Sequence, residues 1–274
     1  MSTKAETTTT PIALTIAGSD SGGGAGIQAD LKTFAAHQVF GASVIAAITA
    51  QNTRTVSAVH DVPPQMVLAQ IVTVLADLGV GAIKIGMLSS RPIIVAVAKG
   101  LQDCRAPVVL DPVMVAKSGD MLLQTDAVGA MIEHLFGRAA LITPNLPEAA
   151  RLLDMAQART NDEMVVQARA LLTLGAKAVL LKGGHSAGPV CTDLLLVPGQ
   201  PPIWLEAARQ STKNTHGTGC TYSSAIAANL AKGQSLAAAV RNAHAYLQAA
   251  IASADQMHVG SGHGPVHHFH AMWS

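Results

Sequence analysis

The segment Ile12–Ala17, IALTIA, is followed by the glycine-rich segment Gly18–Gly26, GSDSGGGAG, and then by a helical pattern over Gly26–Gln38. A short apolar run that meets several glycines and then helical periodicity is typical of a strand that turns sharply into a helix. The same order of strand and helix recurs along the chain. It predicts an α/β fold in which βαβ units build a mostly parallel sheet with helices on both faces.

The apolar runs and the helical periodicity together predict the elements of this sheet. The buried strands are expected at Ile12–Ala17, Ala42–Thr49, Ala82–Ile85, Val108–Asp111, Ala140–Thr143 and Ala178–Lys182. The helices are expected at Gly26–Gln38, Pro64–Leu78, Arg91–Gln102, Thr125–Phe136, Leu146–Asp154, Asp162–Leu174, Thr221–Lys232 and Leu236–Ala254. Two shorter runs, Leu194–Val197 and Ile203–Leu205, flank a Pro-Gly-Gln-Pro-Pro segment and predict a hairpin-like edge. Since no linker separates these elements, we expect a single domain over 12–274. Residues 1–11 before it are expected to be disordered.

Composition limits the classes of function. Hydrophobic residues make up 49% of the chain, so a large core can form, and the aromatic share of 3% leaves that core to aliphatic side chains. The net charge of +1, without a run of five like charges, gives no indication of a nucleic-acid or membrane partner. The three cysteines lack the paired spacings of a disulfide framework or a zinc site, and residues 1–10 lack a signal-peptide core. We therefore expect a cytoplasmic protein.

The segment Asn214–Thr221, NTHGTGCT, has the features of an anion site. Glycines let the backbone turn several N–H groups toward one point, and the first turn of a helix leaves further N–H groups unpaired. Cys220 is expected at the rim of this site, where a helix N-terminus favours the thiolate. An ordinary glycine-rich helix start with a buried cysteine explains the segment equally well when it is taken alone.

Two common nucleotide motifs are not satisfied. Gly24–Ala29 matches the G-x-G-x-x-A form of the dinucleotide fingerprint, but no acidic residue occurs between Asp30 and Asp61 to bind a ribose. The chain contains no Gly-Lys dipeptide, which excludes a Walker A loop. A bound nucleotide would therefore need another cradle.

Five motifs in register carry a resemblance to a known family. They are Ala17–Asp30, Asp111–Met114, Thr143–Glu148, Lys182–His185 and His216–Cys220. In this order they closely resemble the hydroxymethylpyrimidine kinase/phosphomethylpyrimidine kinase family of thiamine biosynthesis, a branch of the ribokinase superfamily. The resemblance runs from about Ile12 to the C-terminus, and it implies a ribokinase-like fold and two successive phosphorylations that consume ATP.

The resemblance also implies roles for individual residues. Cys220 would be the catalytic base, and Gly217, Thr218 and Gly219 would present backbone amides to the transferred phosphoryl group. The ATP and Mg²⁺ site would be formed by Asp111, Asn145, Glu148 and Lys182, with Glu148 acting on the metal through water. The pyrimidine would contact Gly18, Asp30, Gln51 and Met87. A glutamine amide suits an aminopyrimidine edge because it offers one donor end and one acceptor end.

Further expectations concern a lid and the assembly. Met114–Met121 lacks helical periodicity and is expected to close over ATP, with Ser118 and Gly119 as the hinge and with Lys117 approaching phosphate on closure. The partners are expected to be ATP and a small pyrimidine, within a homodimer.

Three other interpretations stay open from the sequence. A pyridoxal or pyridoxine kinase of the same branch would also take a flat ring with a hydroxymethyl arm. A non-catalytic pyrimidine-binding module would show no ATP turnover. A cysteine hydrolase would form a covalent adduct at Cys220.

Overall fold

The computed structural model describes residues 9–114, 125–184 and 188–273. In these residues nine strands form one sheet in the order β3-β2-β1-β4-β5-β6-β7-β8-β9. The strands are β1 Ile12–Asp20, β2 Phe40–Gln51, β3 Val56–Asp61, β4 Ala82–Ile85, β5 Val108–Leu110, β6 Leu141–Ile142, β7 Val179–Leu181, β8 Val190–Leu196 and β9 Ile203–Ala208. Strands β2, β1, β4, β5, β6 and β7 run parallel, and β3, β8 and β9 pair antiparallel at the edges.

Helices cover both faces of the sheet. Their bounds are α1 Gly26–Ala36, α2 Pro64–Asp77, α3 Arg91–Gly100, α4 Thr125–Leu135, α5 Leu146–Leu153, α6 Asn161–Thr173, α7 Thr218–Ala231 and α8 Leu236–Ala252. Helices α2 to α6 pack into one hydrophobic core, and α1, α7 and α8 pack into the other. Strand residues alternate between the two cores, as in β1, where Ala13 faces one and Leu14 faces the other. The predicted α/β architecture is therefore confirmed.

The structure corrects several predicted boundaries. Strand β1 continues to Asp20 past a bulge at Ala17/Gly18, so the first three residues of the predicted loop belong to the strand. Helix α7 begins at Thr218 instead of Thr221, which places Cys220 inside its first turn. Strand β3 was not predicted, because its residues are mostly exposed and carry little burial pattern. The predicted hairpin is confirmed as β8 and β9.

The domain assignment stays a prediction. Every described strand belongs to the one sheet, whereas the predicted disordered segment falls mostly on residues 1–8, outside the described part. No helix among the described residues is both long and apolar enough to cross a bilayer.

A buried ion pair joins the sheet to α1. Lys84 of β4 and Asp30 of α1 are both fully buried, and the Lys84 Nζ atom lies 2.9 and 2.8 Å from the two Asp30 carboxylate oxygens. Asp30 also accepts hydrogen bonds of 2.6 Å from Thr15 of β1 and from Ser224 of α7. Burial opposes the charge of Lys84, but the attraction of Asp30 raises the pKa of the ammonium above its ordinary value. Lys84 therefore stays ionised.

We expect Asp30→Asn to lower the free energy of unfolding by about 3 to 5 kcal/mol, because it leaves the Lys84 ammonium buried without its counter-charge. Urea unfolding measures this loss. Glu133→Gln is the matched control, since Glu133 pairs with Arg91 at 3.0 Å while both side chains are about half exposed, and it should cost less than about 1 kcal/mol. Equal losses in the two variants would contradict the role given to the buried pair.

Candidate functional site

A cavity of about 920 Å³ lies at the carboxyl ends of the parallel strands. This is the edge where open α/β sheets bind ligands. The residues predicted from the sequence converge there from loops far apart in the chain. Those that line the cavity are Gly18, Gln51, Met87, Asp111, Asn145, Glu148, Lys182, Gly217, Thr218, Gly219 and Cys220. The structure therefore brings together all but one of the predicted site residues, and the exception is Asp30.

Gly18, Gln51 and Met87 give one part of the cavity the chemistry to hold a flat ring. The Met87 side chain lies over Gly18, where an added Cβ atom would be 2.5 Å from the Met87 methyl carbon. Glycine at position 18 therefore makes room for the thioether, which can pack on an aromatic face. Gln51, the last residue of β2, lines the cavity with its side-chain amide. This part offers one apolar wall and one polar edge.

A second part of the cavity begins at the N-terminus of α7. Gly217 is the N-cap residue with φ +77°, and no side chain caps the helix. A Cβ atom at Gly217 would lie 1.9 Å from the Gly24 carbonyl oxygen, so only glycine lets these two loops approach so closely. Gly217, Thr218 and Gly219 line the cavity, and N–H groups in the first turn of a helix stabilise a nearby anion.

Cys220 lies in this first turn, and its thiol differs from the expectation. Burial raises the pKa of the Cys220 thiol to about 11, while the nearby Lys84 ammonium opposes that rise. The Gly26 N–H also donates to the sulfur. A depressed pKa was predicted for Cys220 from the helix N-terminus alone. That prediction is wrong, because loss of hydration outweighs the local dipole.

Asp111 and Lys182 form a charge pair beside the same helix turn. Lys182 Nζ lies 2.8 Å from Asp111 Oδ1, and Thr143 donates to the same oxygen at 2.9 Å. A Cβ atom at Gly219 would be 3.3 Å from Asp111 Oδ2 and 3.4 Å from Lys182 Nζ. Asp111 and Lys182 therefore lie beside the glycine-rich turn, where the phosphate is expected. Lys182 supplies a positive charge there.

Asn145 and Glu148 form a capping box at the start of α5. The Asn145 side chain accepts from the Glu148 N–H at 2.8 Å, and the Glu148 carboxylate accepts from the Asn145 N–H at 2.8 Å. Burial raises the pKa of Glu148 to about 7; Lys182 opposes the rise, and Asp111 adds to it. A carboxylate with so little compensating positive charge would be stabilised by a cation.

These residues fit Mg²⁺ through its water ligands. No described group of three or more His, Cys, Asp or Glu side chains could hold a metal ion directly. Magnesium characteristically keeps several waters and binds through substrate phosphates with one or two carboxylates. Glu148 and Asp111 can supply those carboxylates.

Asp30 does not reach the cavity. It is fully buried, and its two oxygens are occupied by Lys84, Thr15 and Ser224. The implied contact between the Asp30 carboxylate and the pyrimidine is therefore corrected to a structural role beneath the site. A charged residue in an apolar strand, as Lys84 is in Ala-Ile-Lys-Ile, was the available signal for this pair.

Asp20 and His216, which also line the cavity, were not predicted as a pair. Asp20 ends β1 and His216 precedes the glycine-rich turn, and the His216 Nε2 atom lies 2.9 Å from the Asp20 carboxylate. They are 196 positions apart, so no local pattern could pair them. Most of the predicted lid at Met114–Met121, including Lys117, Ser118 and Gly119, lies outside the described residues, as does His185.

Comparison with known proteins gives consistent matches. A sequence model of the family described as phosphomethylpyrimidine kinase matches residues 20–267. The hydroxymethylpyrimidine/phosphomethylpyrimidine kinase of Rhizobium meliloti is 58% identical over 264 residues, which are 96% of this chain and 99% of that protein. The ADP complex of Bacillus subtilis pyridoxal kinase superposes with a TM-score of 0.88 at 37% identity, covering 97% of this chain and 100% of that one. The phosphomethylpyrimidine kinase of Clostridium difficile has a TM-score of 0.76 at 42% identity, covering 87% and 98%.

We expect the rate at which iodoacetamide alkylates Cys220 to rise about tenfold per pH unit from pH 7 to 9 without a plateau, because only the thiolate reacts. Mass spectrometry of the Cys220 peptide separates it from Cys104 and Cys191. The same cysteine in urea should level off near the ordinary thiol pKa of about 8.5. A plateau below pH 8 in the folded protein would restore the depressed pKa expected from the helix N-terminus.

Proposed function

Because this chain belongs to the phosphomethylpyrimidine kinase family, we propose that it phosphorylates 4-amino-5-hydroxymethyl-2-methylpyrimidine with ATP and then phosphorylates the monophosphate to the diphosphate. One observation carries this proposal beyond the family match. The same cavity is lined by Gly18, Gln51 and Met87, the residues proposed for the ring, and by Gly217–Cys220, the residues proposed for the phosphoryl group. A ring held by the first set would present its hydroxymethyl arm within the cavity that the second set also lines.

In the first step the thiolate form of Cys220 receives the proton of the attacking hydroxyl, after the thiol has released its own proton to solvent; because the pKa of the thiol is raised to about 11, this form is a minor one near pH 7. The transition state of phosphoryl transfer is loose in most analyses, so we expect the hydroxyl proton to leave late and a base with a high pKa to accept it. The backbone amides of Gly217, Thr218 and Gly219 stabilise the charge that spreads over the transferred group. These amides are fixed before substrate binds, because the Gly24 and Gly217 loops touch.

ATP and Mg²⁺ would occupy the side of the cavity lined by Asp111, Asn145, Glu148 and Lys182. Lys182 binds phosphate oxygens, while Glu148 and Asp111 orient the waters of the metal. When bound, the metal offsets the negative charge of the phosphates. The raised pKa of Glu148 supports this assignment, since a cation beside a buried carboxylate favours its ionised form.

The second step places different demands on the same residues. Its acceptor is a phosphate monoester with a second pKa near 6, so it is already an anion at pH 8 and needs no base. The cavity must instead hold a further negative charge beside the transferred group, and Lys182 is the ammonium at that position.

The pyridoxal kinase alternative is less well supported. The pyridoxal kinase neighbour is 37% identical, whereas the hydroxymethylpyrimidine/phosphomethylpyrimidine kinase of Rhizobium meliloti is 58% identical over nearly its whole length. The expected homodimer and the cytoplasmic location remain predictions.

A reaction with ATP, Mg²⁺ and the hydroxymethylpyrimidine, followed by ³¹P NMR, tests the proposed function. We expect a monophosphate resonance first and two coupled diphosphate resonances later, with ADP formed at each step. Pyridoxal in a parallel reaction should give a lower kcat/KM. ADP formation with pyridoxal but not with the pyrimidine would overturn the substrate assignment, and no ADP with either would leave a binding module.

Cys220→Ala separates the two steps. We expect kcat for the hydroxymethyl acceptor to fall by roughly 10²-fold, the usual contribution of a general base. The loss for the monophosphate acceptor should be much smaller, because that acceptor has no hydroxyl proton to give up. Single-turnover rates with each acceptor measure the difference, and the KM for ATP serves as the control. Equal losses in both steps would reject Cys220 as the base.

A further inference from the structure

The Asp20–His216–Gln51 contacts give the site a feature that the proposed reaction does not use. His216 is buried, and its Nε2 atom lies 2.9 Å from Asp20 Oδ2 and 3.3 Å from Gln51 Nε2. The other end of the Gln51 amide, Oε1, lies 3.2 Å from Thr49 Oγ1. All four side chains line the cavity. The Gln51 amide is therefore held between a histidine and a threonine.

The protonation of His216 follows from its partner. Asp20 accepts N–H bonds of 2.8, 3.1 and 2.8 Å from Gly22, Gly24 and Ala25. Burial opposes its ionisation, but the hydrogen bonds from His216 and Ala25 lower the pKa of Asp20 overall. An ionised carboxylate cannot donate to an imidazole nitrogen. His216 Nε2 must therefore carry a hydrogen, which it donates to Asp20.

The Gln51 amide then has one satisfactory orientation. With Nε2 toward His216, two nitrogen donors would face each other. In that orientation the Thr49 hydroxyl would have to donate to Gln51 Oε1 as well as to the Ser19 carbonyl, which lies 2.8 Å away. A hydroxyl carries only one hydrogen. Nitrogen and oxygen of a carboxamide are nearly interchangeable in shape, and the hydrogen-bond partners decide their places. After a half-turn of the amide, the single His216 Nε2–H can form a bifurcated bond, with a short arm of 2.9 Å to Asp20 and a long arm of 3.3 Å to Gln51 Oε1, and Gln51 Nε2 can donate to Thr49.

The orientation of the Gln51 amide matters because its oxygen accepts hydrogen bonds and its nitrogen donates them. After the half-turn, each end keeps one further position: a lone pair on Oε1 and a hydrogen on Nε2. A 4-aminopyrimidine presents the complementary pair, an amino donor beside the N3 acceptor. A 4-oxopyrimidine presents the reverse pair, a carbonyl acceptor beside an N3–H donor, which meets the fixed amide with two mismatched contacts.

We propose that His216, held by Asp20, is the positioning residue that fixes which end of the Gln51 amide accepts and which end donates, and so selects aminopyrimidines over oxopyrimidines. The inference rests on the proposed function for the identity of the ring. His216 is itself firmly placed, since its N–H donates to the Gly264 carbonyl, its carbonyl accepts from Val266, and a Cβ atom at Gly24 would lie 2.4 Å from its ring.

The test compares kcat/KM for the 4-amino substrate and for 5-hydroxymethyl-2-methylpyrimidin-4-one. The wild-type protein should favour the amino ring by a factor on the order of 10² or more, as expected of a site that pairs specific polar groups. His216→Phe keeps the ring but removes the donor, so the amide can turn, and the ratio should fall about tenfold or more. His216→Gln restores an N–H donor near the Nε2 position and should keep most of the ratio.

Controls separate this role from a merely structural one. The KM for ATP and the unfolding midpoint should stay close to wild type in both variants, and His60→Phe, an exposed histidine of β3, should leave the ratio unchanged. If His216→Phe slows both substrates by the same factor, the positioning role is overturned. If the wild-type protein turns over neither pyrimidine, the proposed function fails instead.

A second measurement uses the wild-type protein alone and does not depend on turnover. In ¹⁵N NMR of the wild-type protein, the Nε2 atom of His216 should carry a hydrogen, as its hydrogen bond to Asp20 requires. A bare Nε2 would overturn the inference, because the amide orientation then loses its cause.

Discussion

The ion pair between Lys84 and Asp30 supports the floor of the site. Lys84 belongs to a central strand and Asp30 to α1, while Thr15 of β1 and Ser224 of α7 complete the shell of the carboxylate. Four elements thus meet at one buried charge pair. Since replacing either ion alone leaves the other without compensation, the relative positions of these elements are strongly constrained. The positions of Cys220 and of the glycine-rich turn before it depend on this ion pair.

The charges around the cavity explain why the pKa values of Cys220 and Glu148 are both raised. Asp111 and Glu148 share one ammonium, Lys182, and Cys220 lies in contact with groups that are already paired. Neither the thiol nor the Glu148 carboxyl gains enough positive charge to offset its loss of hydration. A divalent cation bound with the nucleotide would add positive charge beside both groups and favour their ionised forms.

The sequence predicted the alternation of strands and helices because buried aliphatic runs and helical periodicity are local properties. It also predicted that the polar strand ends would share one edge, and Gln51, Met87, Asp111 and Lys182 do line one cavity. Whether each residue has the role that the resemblance implies remains a matter for the experiments. Glu148 shows why, since the same side chain caps a helix and lies where a metal would be held.

The failures arise where distant residues decide the outcome. The Cys220 pKa was predicted from the helix that bears it, whereas the burial that raises it comes from several elements packed around it. The resemblance placed Asp30 in the cavity, but Lys84, 54 positions later, holds it below. Strand β3 escaped prediction because an exposed edge strand needs no apolar pattern.

The contact between the two glycine-rich turns also has a consequence for folding. Gly24 and Gly217 touch, and Asp20 bonds to His216 across 196 positions of chain. Closing so long a loop is slow, and contacts of this range form only after the intervening sheet has brought their ends together. The cavity is therefore completed among the last events of folding, and a chain that has gained most of its secondary structure would still lack a working site.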